Sequence, residues 1–120
     1  MIKKISDKQR KRNQDKGELT AKLHSLFLDI WDDREDPQGN CYCYETGKIL
    51  PRHIYRNNTS CYDHVLEKSK YKEYTFVKKN ILILDPSVHS NKTKNIDSTP
   101  RIKKYKEYLL DLHNNNLLKD

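Results

Sequence analysis

A small α+β domain is what this chain of 120 residues should form, on three grounds. An apolar stripe at helical spacing runs through Leu19, Leu23, Leu26, Phe27, Ile30 and Trp31. Two short segments, 61–66 and 80–84, are the best strand candidates. Two helix-start signatures follow them, Asp85-Pro86 and Ser98-Thr99-Pro100. Hydrophobic residues make up 34% of the chain and charged residues another 34%. The core is therefore small, which excludes a large enzyme that encloses its substrate.

Taken in order, residues 3–16 are polar and basic, and either extend the first helix or form an arm. Gly17 makes a break there plausible. The amphipathic helix covers 17–31, and Asp36-Pro37-Gln38-Gly39-Asn40 is a breaker cluster that ends the first unit, 1–38. A short hairpin is expected over 41–56, with arms 41–44 and 49–54 around a turn at 45–48 where Gly47 supplies positive φ. After a polar turn at 57–60 come the two strand candidates, separated by 67–79, a linker too long for a tight hairpin. Residues 81–84 are apolar on both faces, so that strand must be covered on each side. Asp85 caps a helix that runs through Val88 and His89 to about Lys94, closing a central unit, 39–96. The last unit, 97–120, holds a helix with Ile102, Tyr105, Leu109 and Leu112 on one edge. Arg101, Lys103, Lys104 and Lys106 crowd its first turns, which opposes the helix dipole and suits contact with phosphate.

The net charge is +7 and unevenly spread. Residues 1–18 carry seven positive and three negative charges, and 19–39 carry two and five. Residues 40–80 carry eight and four, and 81–120 seven and five. Basic blocks around an acidic belt (Asp29, Asp32, Asp33, Glu35, Asp36) suggest a polyanionic partner, most often nucleic acid. No apolar run approaches the roughly 20 residues that span a bilayer. The charged N-terminus lacks the apolar stretch of a secretory signal, so a cytoplasmic protein without a membrane partner is the expectation. Three cysteines, Cys41, Cys43 and Cys61, cannot complete a disulfide framework and read most simply as small, partly buried side chains.

One constellation carries chemistry. Asp63-His64 ends a strand, Asn80 opens the next, and His89 lies in the first turns of the following helix. Breaking a phosphodiester needs a nucleophilic water, a base for its proton, and positive charge beside the leaving oxygen. A neutral imidazole suits the base, while a carboxylate and a second imidazole suit a divalent cation. The simpler options are a strand histidine, a helix-surface histidine, a capping Asn80, and an Asp63 paired with a nearby lysine.

The strings CYCYETGKIL, SCYDHVLEKSKY and KNILILDPSVHSNKT, within 41–94, resemble the HNH nuclease family. The resemblance implies a ββα-metal fold for the central unit, with the hairpin upstream and helices on either side. His64 matches the general base, and Asn80 the central Asn that ties down the connecting loop. Asp63 and His89 match the protein ligands of one divalent cation, Mg²⁺ first and Mn²⁺ or another second. The implied products carry 5′-phosphate and 3′-hydroxyl ends. Neighbours on a regular strand point to opposite faces, so Asp63 and His64 can share a phosphate only where the strand ends or bulges. Thr46 replaces the partner of Cys43 in the family's Cys-x-x-Cys pair, and no such pair follows Asn80, so a structural zinc is not expected. Thr93 stands where some members have another His.

The expected function is a metal-dependent DNA endonuclease, nicking as a monomer or cutting both strands as a homodimer. RNA in place of DNA as the substrate is a weaker expectation, and a non-catalytic nucleic-acid-binding or recombination accessory protein is the alternative. Lys68, Lys70, Lys78, Lys79, Lys92 and Lys94 border the proposed site as a phosphate-tracking rim. His24 and His113 are expected in surface or packing roles, His53 lies outside the site, and Tyr62, Tyr71, Tyr74 and Phe76 read as packing. The acidic belt reads as a solvated helix face.

Overall fold

A computed structural model describes the backbone of residues 7–119 and the side chains of residues 16–119. The start of the expected basic arm, residues 1–6, lies outside the described residues. Helix α1, Asp7–Arg34, is one run of 28 residues that passes through Gly17 without a break. Phe27, Ile30 and Trp31 are buried, and Leu23 and Leu26 half-buried. Leu19, expected in the same stripe, is 56% exposed, because the core begins about one turn further along. The Trp31 indole donates to the Gly39 carbonyl at 3.2 Å, tying the breaker loop back onto the helix.

The hairpin forms with shorter arms than expected. Strands β1 (Cys41–Tyr42) and β2 (Ile49–Leu50) pair antiparallel, Cys41 opposite Leu50 and Tyr42 opposite Ile49. Gly47 does take φ +75° in the turn. Pro51 ends the second arm: it has no N–H for a ladder, and it caps a four-residue helix, α2 (Arg52–Tyr55), where more strand was expected. Arg52 and Arg56 then reach Asp32 at 3.0 and 2.9 Å, and Arg52 also binds Glu35. Asp32 and Glu35 of the acidic belt are thus ion-paired to arginines in and just after α2 and are not simply a solvated face.

Strands β3 (Tyr62–His64) and β4 (Ile81–Ile83) pair antiparallel, with Tyr62 opposite Ile83, Asp63 opposite Leu82 and His64 opposite Ile81. Both are shorter than their candidates, since Cys61 and Asn80 close 3₁₀ turns, Thr59–Cys61 and Lys78–Asn80. All three residues of β4 are buried, as its two-faced apolar run requires. Helix α3, Pro86–Lys94, starts where the sequence places it, with the Asp85 carboxylate accepting from the Ser87 N–H at 2.9 Å.

Helix α4, Pro100–Asn114, also starts at its proline, but the Thr99 side chain makes no capping bond. The Glu45 carboxylate, from the hairpin turn, accepts from the Arg101 and Ile102 N–H groups at 3.2 and 2.9 Å instead. A negative charge there complements the helix dipole and offsets the cations beside it. Several of those cations have protein partners: Arg101 lies over the Tyr44 ring, Lys103 pairs with Asp97, and Lys106 with Glu67. Ile102 and Leu109 join Ile30, Trp31, Leu50, Leu66, Ile81 and Leu84 in the core, all without exposed surface. Cys41, Cys43 and Cys61 are buried there as free thiols. Four α-helices and two small antiparallel sheets make this an α+β fold among the described residues. No described helix is long and apolar enough to cross a membrane.

Candidate functional site

Strand β3, helix α3 and the middle of α1 enclose a cleft of about 570 Å³. Asp63, His64, His89 and Lys92 all line it, facing Leu23, His24 and Phe27 of α1. Phe27 stacks on Tyr62 with 4.5 Å between ring centres and tilts against the His64 ring at 6.0 Å. Asp63 and His64 reach one cleft because β3 ends at His64, where the chain leaves the ladder.

Asn80 holds that irregular backbone. Its amide is fully buried: Oδ1 accepts from the Leu66 N–H at 2.7 Å, and Nδ2 donates to the carbonyls of Leu66 and Tyr74 at 3.0 and 3.3 Å. Its own carbonyl accepts from the Val65 N–H at 2.9 Å. One side chain therefore fastens both ends of the stretch between β3 and the 3₁₀ turn before β4. Asn80 does not line the cleft.

The Thr75 carbonyl, next along from the one Asn80 secures, lies 2.9 Å from His64 Nε2. A carbonyl only accepts, so Nε2 carries the proton and Nδ1 is the basic nitrogen of the neutral ring. Burial pushes the His64 pKa below its ordinary value, with the Thr75 bond opposing it, so the neutral ring prevails at neutral pH.

His89 is fixed by the same logic. Its Nδ1 lies 2.8 Å from the Ser60 carbonyl, which leaves Nε2 turned toward Asp63 Oδ1 at 3.3 Å. A cation between them would be shared by the ring nitrogen and the carboxylate oxygen. A histidine whose second nitrogen donates to a backbone carbonyl is oriented as metal-binding histidines are. Asp63 is 3% exposed, and its Oδ2 is buried without a hydrogen bond. Lys92 Nζ lies 3.1 Å from Oδ2 as an ion pair, while its hydrogen bonds go to Oδ1 at 3.2 Å and the His64 carbonyl at 3.3 Å.

Asp63 Oδ1 and His89 Nε2, 3.3 Å apart, stand at the separation of neighbouring ligands and fit a divalent cation held by two protein donors, while Oδ2 faces the Lys92 ammonium. Among the described residues no three His, Cys, Asp or Glu gather to hold a metal by themselves. Thr93 donates its hydroxyl to the His89 carbonyl at 3.0 Å. The cysteines lie in the core away from this cleft, and burial pushes the Cys41 and Cys61 thiols up to about 12.

Of the lysines expected at the rim, Lys68 and Lys92 line the cleft. Lys70 lies over the Tyr71 ring at 5.9 Å, and Lys78 pairs with Asp33 at 2.9 Å. Lys79 and Lys94 are exposed and do not line it. His113 meets the Tyr74 hydroxyl through Nδ1, His53 is exposed on α2, and His24 joins the cleft wall. The inward role of Lys92 was missed, although its place three residues after His89 puts the two on one helix face. The carbonyls of Ser60 and Thr75 carry no side-chain signal at all. Comparison with protein-family models, curated proteins and solved structures gave no match.

Proposed function

We propose that this chain hydrolyses phosphodiester bonds in DNA as a metal-dependent endonuclease of the HNH kind. The observation that carries the reading is the cleft itself, where a histidine with a basic Nδ1 stands beside an Asp63–His89 donor pair. His64 Nδ1 would take the proton of the attacking water, with Thr75 holding the ring by its other nitrogen. Asn80 is a positioning residue that acts through the loop. Asp63 Oδ1 and His89 Nε2 would hold the divalent cation, which when bound supplies positive charge beside the leaving oxygen. Lys68, exposed at the same cleft, supplies a phosphate contact. One such site serves one strand, so nicking is the basal reaction and a double-strand cut requires a second copy or re-engagement of the first.

Supercoiled plasmid incubated with Mg²⁺ or Mn²⁺ tests this reading. Relaxed circles that vanish with EDTA and with His64→Ala support it. Salt-sensitive binding without cutting under either metal overturns it in favour of a non-catalytic accessory role, and cleavage confined to RNA overturns the assignment of DNA.

A further inference from the structure

Lys92 does not behave as a rim lysine. Its side chain is 9% exposed and Asp63's is 4%, so both charges are removed from solvent together. The ammonium sits 3.2 and 3.1 Å from the two carboxylate oxygens and 3.3 Å from the His64 carbonyl. A buried carboxylate needs a counter-charge, and here the chain supplies its own. The cation so placed belongs to α3, the helix that also carries His89. A divalent ion drawn to Asp63 Oδ1 and His89 Nε2 therefore meets a resident positive charge on the same carboxylate. We propose that Lys92 is the resident cation of this site, balancing Asp63 until a divalent ion displaces it, and thereby holding the site's metal affinity low.

The inference rests on the reading of Asp63 and His89 as cation donors, but it concerns binding and not cleavage. Its test is Mn²⁺ binding to the full chain, followed by electron paramagnetic resonance of the free ion. Lys92→Met should bind Mn²⁺ at least tenfold more tightly than the wild type, and adding Asp63→Asn should remove the gain. Equal or weaker binding by Lys92→Met overturns the inference. Because that variant leaves Asp63 without its partner and can fail to fold, a second measurement uses the wild type. Lysine acetylation read by mass spectrometry should find Lys92 protected without metal and labelled faster at millimolar Mn²⁺, with Lys70 unchanged. Labelling of Lys92 that ignores Mn²⁺ overturns the inference equally. Tighter Mn²⁺ binding by Lys92→Met with no DNA cut by any form keeps the resident cation and defeats the nuclease. Cutting by the wild type with unaltered Mn²⁺ affinity in Lys92→Met does the reverse.

Discussion

Lys48 and Asp85 meet at 2.7 Å, joining the first hairpin to the N-cap of the helix that carries His89 and Lys92. The Asp85 carboxylate accepts from the Lys48 ammonium, the Ser87 hydroxyl and the Ser87 N–H, so one side chain anchors α3 and aims it.

This anchor makes stability depend on pH. The Lys48 hydrogen bond first, and those from Ser87 next, hold the Asp85 pKa down at about 2, against roughly 3.9 in an unfolded chain. The stabilisation is complete above the unfolded value and disappears as pH falls through 4 toward 2. Asp85→Asn keeps a capping oxygen and removes the charge. Urea denaturation at pH 6 should show it less stable by about 1–2 kcal/mol, a moderate figure because Lys48 is half exposed to water. The two proteins should converge only as the pH falls below 2.

Asn80→Ala should cost about 2–4 kcal/mol, since it strands the Leu66 N–H and the Leu66 and Tyr74 carbonyls in the interior. Denaturant melts measure the loss. The His64 imidazole signals in NMR should shift with it, whereas a core truncation such as Leu109→Ala should destabilise and leave them in place.

If the cleft is a nuclease site, His64→Ala should lower the rate of plasmid nicking by roughly 10²–10⁴, the usual range for a missing general base. Its affinity for DNA should persist, because no phosphate-binding charge is removed. A gel-shift assay beside the nicking assay separates the two effects.

Lys68→Ala should weaken DNA binding for all sequences alike and reduce the slope of log K against log salt by about one. Titrations at several salt concentrations give that slope.

Glu45→Gln should lower stability by about 0.5–1 kcal/mol, because α4 loses the carboxylate at its first turn. Added salt should shrink the difference, which thermal melts at low and high ionic strength will show.

The parts of this fold that were legible in the sequence are those decided by local chemistry. Asp85-Pro86 and Pro100 fix helix starts because a proline tolerates only the first turn, and Gly47 accepts a backbone angle that other residues resist. The two strands were legible as segments, and the apolar run of the second called for cover on both faces, which β4 has. What escaped is what depends on distant partners. Glu45 caps α4 from 56 residues away, and Asp32 of α1 finds Arg52 and Arg56, in and just after α2, only once Pro51 has ended a strand. At the site, the sequence brings Asp63, His64 and His89 forward by residue type, and the structure gathers them at one cleft. The direction Lys92 faces was not legible, because a lysine's long stem reaches solvent or interior according to what surrounds it.

The three buried thiols give the folded state an internal clock. Cys41, Cys43 and Cys61 are at most 2% exposed, and for Cys41 and Cys61 burial further suppresses the reactive thiolate. An alkylating reagent in the surrounding buffer should therefore modify the chain only when its interior opens. The pace of that modification, followed by mass alone, measures how often the native structure comes apart.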